Sequence, residues 1–141
     1  MFELHDELQT KAFVALAKMI GQAELLLNEE YGKLTEKQRE FIDEMHRNAL
    51  ILLGRWYWLN STADEKNMQS LDNLAIFLHE SSNPLACIAG YIELFKRVPD
   101  EVTQEQQQAV QVIGEFQERV RGYWNSLMAI FRENTGMHLE E

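Results

Sequence analysis

Apolar residues recur every three or four positions along nearly the whole chain, and the alternating apolar and polar runs that form β-strands are missing. Both prolines lie in the second half, so long stretches run without a helix breaker. The pattern predicts four helices, at about 3–29, 35–61, 69–97 and 103–134. Helices of this length joined by short connections pack antiparallel to one another.

The third and fourth predicted helices carry the most regular apolar stripes. Their apolar positions alternate steps of four and three residues, which is typical of the inward seam of a helical bundle. We expect this seam to form the core. Its members are Leu74, Leu78, Ser81, Leu85, Ile88, Ile92 and Phe95 in the third helix, and Ala109, Ile113, Phe116, Val120, Tyr123, Leu127 and Ile130 in the fourth.

The two halves of the chain repeat one another. A capping box, in which a threonine is followed three residues later by a glutamine, precedes both the second and the fourth helix. At one constant shift, the matching positions are Thr35, Gln38, Gly54, Trp56 and Leu59 with Thr103, Gln106, Gly122, Trp124 and Leu127. With one residue of slippage, the first and third helices match at Leu16, Ala17, Gly21, Glu24 and Leu25 with Leu85, Ala86, Gly90, Glu93 and Leu94.

One helical hairpin cannot bury its apolar stripe alone, but two copies can bury their stripes against each other. We therefore predict an all-α fold: an antiparallel four-helix bundle made of two tandem hairpins, about 3–61 and 69–134, with internal pseudo-twofold symmetry. We expect one domain over residues 1–141 and a monomer, because both halves of the bundle lie in one chain. Further dimerisation through the apolar strip of Phe13, Val14 and Ile20 stays open.

Charge and composition narrow the class of protein. The chain has 13 basic and 23 acidic residues, a formal net charge of −10, and so acidic a surface repels nucleic acid and anionic lipid. No apolar run approaches the ~20 residues that span a bilayer, and the N-terminus is acidic, unlike a secretory signal. The single cysteine, Cys87, excludes an internal disulfide and fits a reducing compartment. We expect a cytoplasmic protein with no nucleic-acid partner and no membrane insertion.

The segment HESSNPL, from His79 to Leu85, carries the clearest chemical pattern. His79 is one position past the seam residue Leu78 and therefore projects from the flank of the bundle. A neutral imidazole is a competent nucleophile toward an aspartyl phosphate. Glu80 is placed to hold the ring tautomer or to accept its proton. Asn83, one turn along the same face, is placed to orient a water molecule for in-line attack.

HESSNPL and the segment IAGYIEL, from Ile88 to Leu94, resemble the phosphoacceptor helix of two-component sensor histidine kinases. EYGKLTEKQREF, from Glu30 to Phe41, is similar to the turn and second helix of the same dimerisation and phosphotransfer domain. In that family the domain is a helical hairpin that forms a four-helix bundle with a second subunit. The resemblance implies that the second hairpin is fused here in one chain and that His79 is the phosphoacceptor.

Two departures from the family bear on activity. The first hairpin has lost every chemical group of the motif. Where the second hairpin has His79, Glu80, Asn83 and Pro84, the first has Thr10, Lys11, Val14 and Ala15. The chain also has no ATP-binding domain, Gly-rich lid or metal-binding asparagine box of the kinase type. We therefore expect no autokinase activity, and a phosphoryl group on His79 would come from another protein.

Small residues near His79 on its face predict where a partner docks, because they let another helix approach closely. They are Ser82, Ala86, Ala89 and Gly90. The resemblance implies that this partner is the receiver domain of a response regulator or a sensor histidine kinase. We expect no cofactor in the chain itself, while Mg²⁺ would come with the receiver.

Three functions fit these residues. The first is a histidine phosphotransfer or phosphatase module that acts on receivers through His79, Glu80 and Asn83. The second is a catalytically silent bundle that binds and regulates a kinase or receiver. The third is a structural helical adaptor in which the motif is residual. The intact motif of the second hairpin favours the first function, and the erased motif of the first hairpin favours the second.

The remaining histidines and the cysteine carry weaker signals. We expect His46 at the surface. His5 and His138 lie near the termini without ligand partners at metal spacing, so no metal site is predicted. Cys87 lies beside the seam and is expected to be a small buried hydrophobe.

Overall fold

Four long α-helices make up the part of the chain that the structure describes. The computed structural model describes residues 3–61 and 68–136. Within these ranges the helices are α1 (Glu3–Leu27), α2 (Glu36–Ser61), α3 (Met68–Arg97) and α4 (Gln104–Thr135). Each helix end lies within two residues of its predicted position, so the all-α prediction is confirmed.

The helices pack as a closed antiparallel bundle. Each helix contacts its neighbour in the chain, and α4 closes onto α1, so that α1 and α3, like α2 and α4, face each other across the diagonal. Arg55 pairs with Glu80 toward one end of α2 and Phe41 contacts Tyr91 toward the other, which makes α2 and α3 antiparallel. None of the described helices is both long and apolar enough to cross a membrane.

Both predicted capping boxes are present at the loop end of the bundle. The backbone N–H of Thr35 donates to the Gln38 side chain at 2.9 Å, and the Gln38 N–H donates back to the Thr35 hydroxyl at 3.2 Å. Thr103 and Gln106 exchange the same bonds at 2.9 and 3.0 Å. Gly32 adjoins this junction with φ +122°, and a Cβ there would lie 2.9 Å from the Thr103 methyl carbon. Only glycine both adopts this positive φ readily and leaves room for the Thr103 methyl group.

Each capping glutamine also reaches the opposite hairpin. Gln38 Nε2 donates to the carbonyl of Glu101 at 3.1 Å, and Gln106 Nε2 donates to the carbonyl of Lys33 at 3.0 Å. The two donors and the two acceptors are related by the same shift along the chain, so these bonds are mates under a pseudo-twofold axis. The two hairpins therefore pack face to face within one chain, as the duplication predicts.

The core follows the predicted seam of α3 completely and that of α4 only in part. All seven predicted positions in α3 are buried. Three of the seven in α4 are only half-buried: Phe116, Tyr123 and Ile130. The residue that follows each of them is buried instead, so the seam prediction is wrong at these places. The first two face α1, where both line a small cavity with Val14 and Ala15, because α4 turns its next residues toward α3.

Candidate functional site

His79 and Asn83 lie one turn apart on the outer ridge of α3, and both side chains are exposed. Residues four positions apart on a helix are neighbours, with Cβ atoms ~5–6 Å apart. Ala86 and Gly90 continue the ridge and are exposed as well. The structure thus brings the predicted nucleophile and the predicted orienting amide to one surface, beside small residues that leave room above the helix.

Glu80 turns away from this ridge toward α2. Its Oε2 lies 2.9 Å from Arg55 Nη1, and the two side chains are 42% and 46% exposed respectively. The carboxylate that we expect to hold or deprotonate the His79 ring is therefore paired with a guanidinium of the first hairpin. Glu80 can leave Arg55 at little cost in free energy, because an ion pair at the surface contributes only ~0–1 kcal/mol.

A buried indole fixes α3 beneath the site. Trp124 Nε1, on α4, donates to Ser81 Oγ at 2.9 Å and to the carbonyl of Leu78 at 3.1 Å. Gln117 Nε2, two turns earlier on α4, donates to the carbonyl of Leu85 at 3.2 Å. These bonds tie α3 to α4 on both sides of the turn that carries His79 and Asn83, although the residues that make them look like ordinary core or surface positions in the sequence.

Pro84 interrupts the backbone hydrogen bonds of α3 within this turn. It lies inside the helix and is buried, and it has no N–H to offer the carbonyl of Glu80. The α4 donors to the carbonyls of Leu78 and Leu85 flank the interruption. These two hydrogen bonds from α4 hold α3 in place where its own backbone hydrogen bonding is incomplete.

An open groove between α3 and α4 runs beside the ridge. One turn from His79 along α3 the groove includes a cavity of about 200 Å³, lined by Ser82, Leu85, Ala86, Gln117, Arg121 and Trp124. A second cavity of about 310 Å³ continues the groove and includes Ala89. Three of the four predicted partner-binding residues therefore line the groove. The fourth, Gly90, lies on the ridge beside it, where an added Cβ would meet nothing within 4 Å.

Arg121 is a candidate that the sequence reasoning missed. Its side chain is exposed and lines the cavity next to Ser82 and Ala86. The α4 hydrogen bonds to the carbonyls of Leu78 and Leu85 bracket it, so it stands level with Ser82 on the opposite wall of the groove. A guanidinium here offers several donors to phosphate oxygens. The position of Arg121 follows from the register of α3 against α4. The spacing of residues within one helix does not reveal that register.

The amide of Asn83 has one partner on its own helix. Cys87 Sγ donates to Asn83 Oδ1 across 3.9 Å, a weak contact that directs the amide oxygen toward the thiol. Cys87 is half-buried rather than fully buried, so the expectation of a buried hydrophobe holds only in part. Ser82 Oγ donates to the carbonyl of His79 at 3.1 Å.

The other histidines stand apart from this site. His46 is half-buried rather than at the surface, and its Nε2 lies 3.4 Å from Glu24 Oε2 on α1, an ion pair when the ring is protonated. The side chains of His5 and His138 lie outside the described residues. Among the side chains that the structure describes, no three His, Cys, Asp or Glu residues come together as a metal site.

Comparison of the chain with models of protein families, with curated proteins and with solved structures found no match. The interpretation of the site therefore depends on its side-chain chemistry and on the resemblance of the HESSNPL segment. The fold adds the arrangement: an exposed imidazole and amide, a flanking groove of small residues and an arginine on its opposite wall.

Proposed function

We propose that this chain is a two-component signalling module that acts on the receiver domain of a response regulator through His79. The observation that carries the proposal is the exposure of His79 and Asn83 one turn apart on α3, beside the groove that contains Ser82 and Ala86. A receiver delivers its phosphoryl group on a loop-borne aspartate, so its acceptor must be exposed and must stand beside room for another protein.

In the transfer reaction, a ring nitrogen of His79 attacks the phosphorus of the receiver's acyl phosphate. The P–N bond forms as the P–O bond to the aspartate breaks, and the aspartate carboxylate leaves. The ring loses its proton to solvent or to Glu80, once that carboxylate has left Arg55. Mg²⁺ held by the receiver neutralises charge on the phosphoryl group. Arg121 offers donors to the same oxygens from the far side of the groove.

In the phosphatase reaction, water replaces His79 as the nucleophile. The Asn83 amide orients the attacking water, inorganic phosphate is released, and no P–N bond forms. The two reactions share the docking surface and differ in which side chain is indispensable. Substitution of His79 and of Asn83 therefore distinguishes them.

A second candidate function is that of a catalytically silent binder. It is favoured by the first hairpin, where Thr10 and Val14 have replaced the imidazole and the amide on the same bundle. Such a chain would bind a kinase or receiver and regulate it by covering its surface. A purely structural adaptor is the third possibility, and it predicts no receiver binding at all.

The test uses the receiver domains of the source organism, each labelled by a radioactive small phosphodonor that is then removed. The chain is added, and acid-labile phosphate on it and released inorganic phosphate are both measured. His79→Ala should abolish the transfer, Asn83→Ala should slow phosphate release more than transfer, and Glu80→Gln should weaken either activity. Thr10→Ala, at the corresponding position of the first hairpin, is the matched control and should have no effect.

The silent-binder function would be correct if receivers bind but every variant behaves as the unmodified chain does. Absence of binding to any receiver would contradict the proposed function. If no histidine kinase binds either, the silent binder is contradicted too, and the adaptor is left.

A further inference from the structure

The outer face of the first hairpin carries large apolar side chains that the bundle leaves uncovered. Tyr57 is 60% exposed, Val14 51% and Leu50 45%. Ile51 and Trp58 are exposed beside them. These five side chains define what we call the hairpin-1 face. It lies on α1 and α2, away from the groove between α3 and α4.

On the hairpin-1 face, α1 and α2 lie side by side and contact each other. At one end the Phe13 and Tyr57 rings lie 4.7 Å apart, and at the other Glu24 faces His46. Between these ends, Gly21 on α1 has no side chain, and an added Cβ there would meet nothing within 4 Å. From Phe13 to Glu24 α1 rises ~16 Å, which matches three turns of a docked helix.

The duplication provides an internal reference for this face. Leu50, Tyr57 and Trp58 occupy positions that in the second hairpin hold Glu118, Asn125 and Ser126. On α1, the aromatic and branched pair Phe13 and Val14 replaces Ser82 and Asn83. The same backbone is thus polar in one hairpin and apolar in the other. The fold does not require apolar residues here, so their presence indicates a contact with something outside the bundle.

Charge distinguishes the hairpin-1 face from the rest of this acidic molecule. The segments 8–23 and 47–61, which lie between Glu7 and Glu24 on α1 and beyond Glu44 on α2, contain no Asp or Glu. They carry four exposed cations: Lys11 and Lys18, on the side of α1 toward α4, and Arg47 and Arg55 on α2. The corresponding segments of the second hairpin, 77–92 and 115–129, contain three carboxylates and two cations. Three of the four cations pair with carboxylates at the border of the face, in surface contacts that an incoming carboxylate can replace.

We propose that the hairpin-1 face binds an amphipathic helix of another protein, with an apolar stripe flanked by Asp and Glu. A groove between two antiparallel helices accepts a third helix by ridge-into-groove packing, with the apolar side chains as anchors. The flanking carboxylates meet the cations of α1 and α2, which sets the orientation and excludes basic helices.

Charge also argues against two other occupants. A second copy bound through the same face by twofold symmetry would bring Lys11, Lys18, Arg47 and Arg55 against their own kind. An anionic bilayer is a plane that meets the whole flank of a molecule with a net charge of −10. A single helix contacts only the hairpin-1 face and its basic border.

The test uses three synthetic helical peptides that share one Leu and Ile stripe and carry Glu, Gln or Lys on its flanks. Binding to the full chain is measured by calorimetry, and fold is checked by circular dichroism. The Glu peptide should bind at least tenfold more tightly than the Lys peptide. Leu50→Glu and Tyr57→Asn, which install residue types found in the second hairpin, should each weaken binding at least tenfold. Glu118→Gln, at the position that corresponds to Leu50, should leave it unchanged.

Equal binding of the three peptides, or none, would overturn the proposal. Sedimentation that shows a dimer lost in Leu50→Glu would assign the face to a second copy. Sedimentation with phosphatidylserine vesicles that Leu50→Glu abolishes would assign it to a membrane. Either result would overturn the proposal, and neither bears on the reaction at His79.

Discussion

The two tryptophans related by the duplication have unequal surroundings, and this difference makes a quantitative prediction. Trp124 Nε1 donates to Ser81 Oγ and to the carbonyl of Leu78. Trp56 Nε1 is buried and has no acceptor among the described residues. The first hairpin has Ala12 at the position that corresponds to Ser81. Trp124 Nε1 therefore has two acceptors, and the hydroxyl is the one whose counterpart is deleted from the sequence of the first hairpin.

Ser81→Ala should destabilise the protein by ~1–2 kcal/mol. A buried hydrogen bond contributes ~1 kcal/mol, and the carbonyl of Leu78 stays available at 3.1 Å, so Trp124 Nε1 is not left entirely without an acceptor. Ala12→Ser should act in the opposite direction. Its hydroxyl would accept from Trp56 Nε1 as Ser81 accepts from Trp124, and should stabilise the protein by ~0.5–1.5 kcal/mol.

The assay is urea unfolding followed by circular dichroism, in which ~1 kcal/mol moves the midpoint by roughly 0.3–1 M. A loss for Ser81→Ala within about 0.5 kcal/mol, the range of ordinary surface substitutions, would refute the anchoring role of the indole. Destabilisation by Ala12→Ser would show that the two tryptophans are not equivalent under the pseudo-twofold axis.

Three further substitutions test the site and the junction. Arg121→Gln should slow phosphotransfer at least tenfold, because a hydrogen bond to a charged group contributes ~1.5–3 kcal/mol. The matched Arg119→Gln on the same helix should leave the rate unchanged, and stopped-flow transfer rates measure both. Gly32→Ala should destabilise the protein by ~1–3 kcal/mol in urea unfolding, and Gly54→Ala, in open space within a helix, should not. Gly90→Arg should abolish receiver binding in a pull-down while retaining full helicity, and unchanged binding would move the partner elsewhere.

The fold follows from local features of the sequence. The capping threonines and glutamines end the loops at Thr35 and Thr103, and the stripe of α3 is buried throughout. In α4 the periodic pattern selects Phe116, but Gln117 is the buried residue, because its amide bonds the carbonyl of Leu85 on α3. Hydrophobic periodicity predicts that a glutamine lies at the surface. Only a hydrogen-bond partner on the neighbouring helix accounts for its burial.

The candidate site likewise has a part that the sequence predicts and a part that only the packing of the helices reveals. His79 and Asn83 share a face because four residues make about one helical turn, and spacing alone predicts this. The pairing of Glu80 with Arg55, and the position of Arg121 on the far wall of the groove, depend on how α2 and α4 are set against α3. That setting is decided by the whole core and is not readable from any one segment.

The central claim is that a receiver docks on the α3–α4 face that carries His79. Amide NMR of the labelled chain, titrated with a receiver held in its phosphorylated form by beryllofluoride, locates the contact directly. We predict shifts concentrated between residues 79 and 90 of α3 and between 114 and 124 of α4, weakened in Gly90→Arg. Shifts confined to α1 and α2, or none with any receiver of the source organism, would contradict the claim.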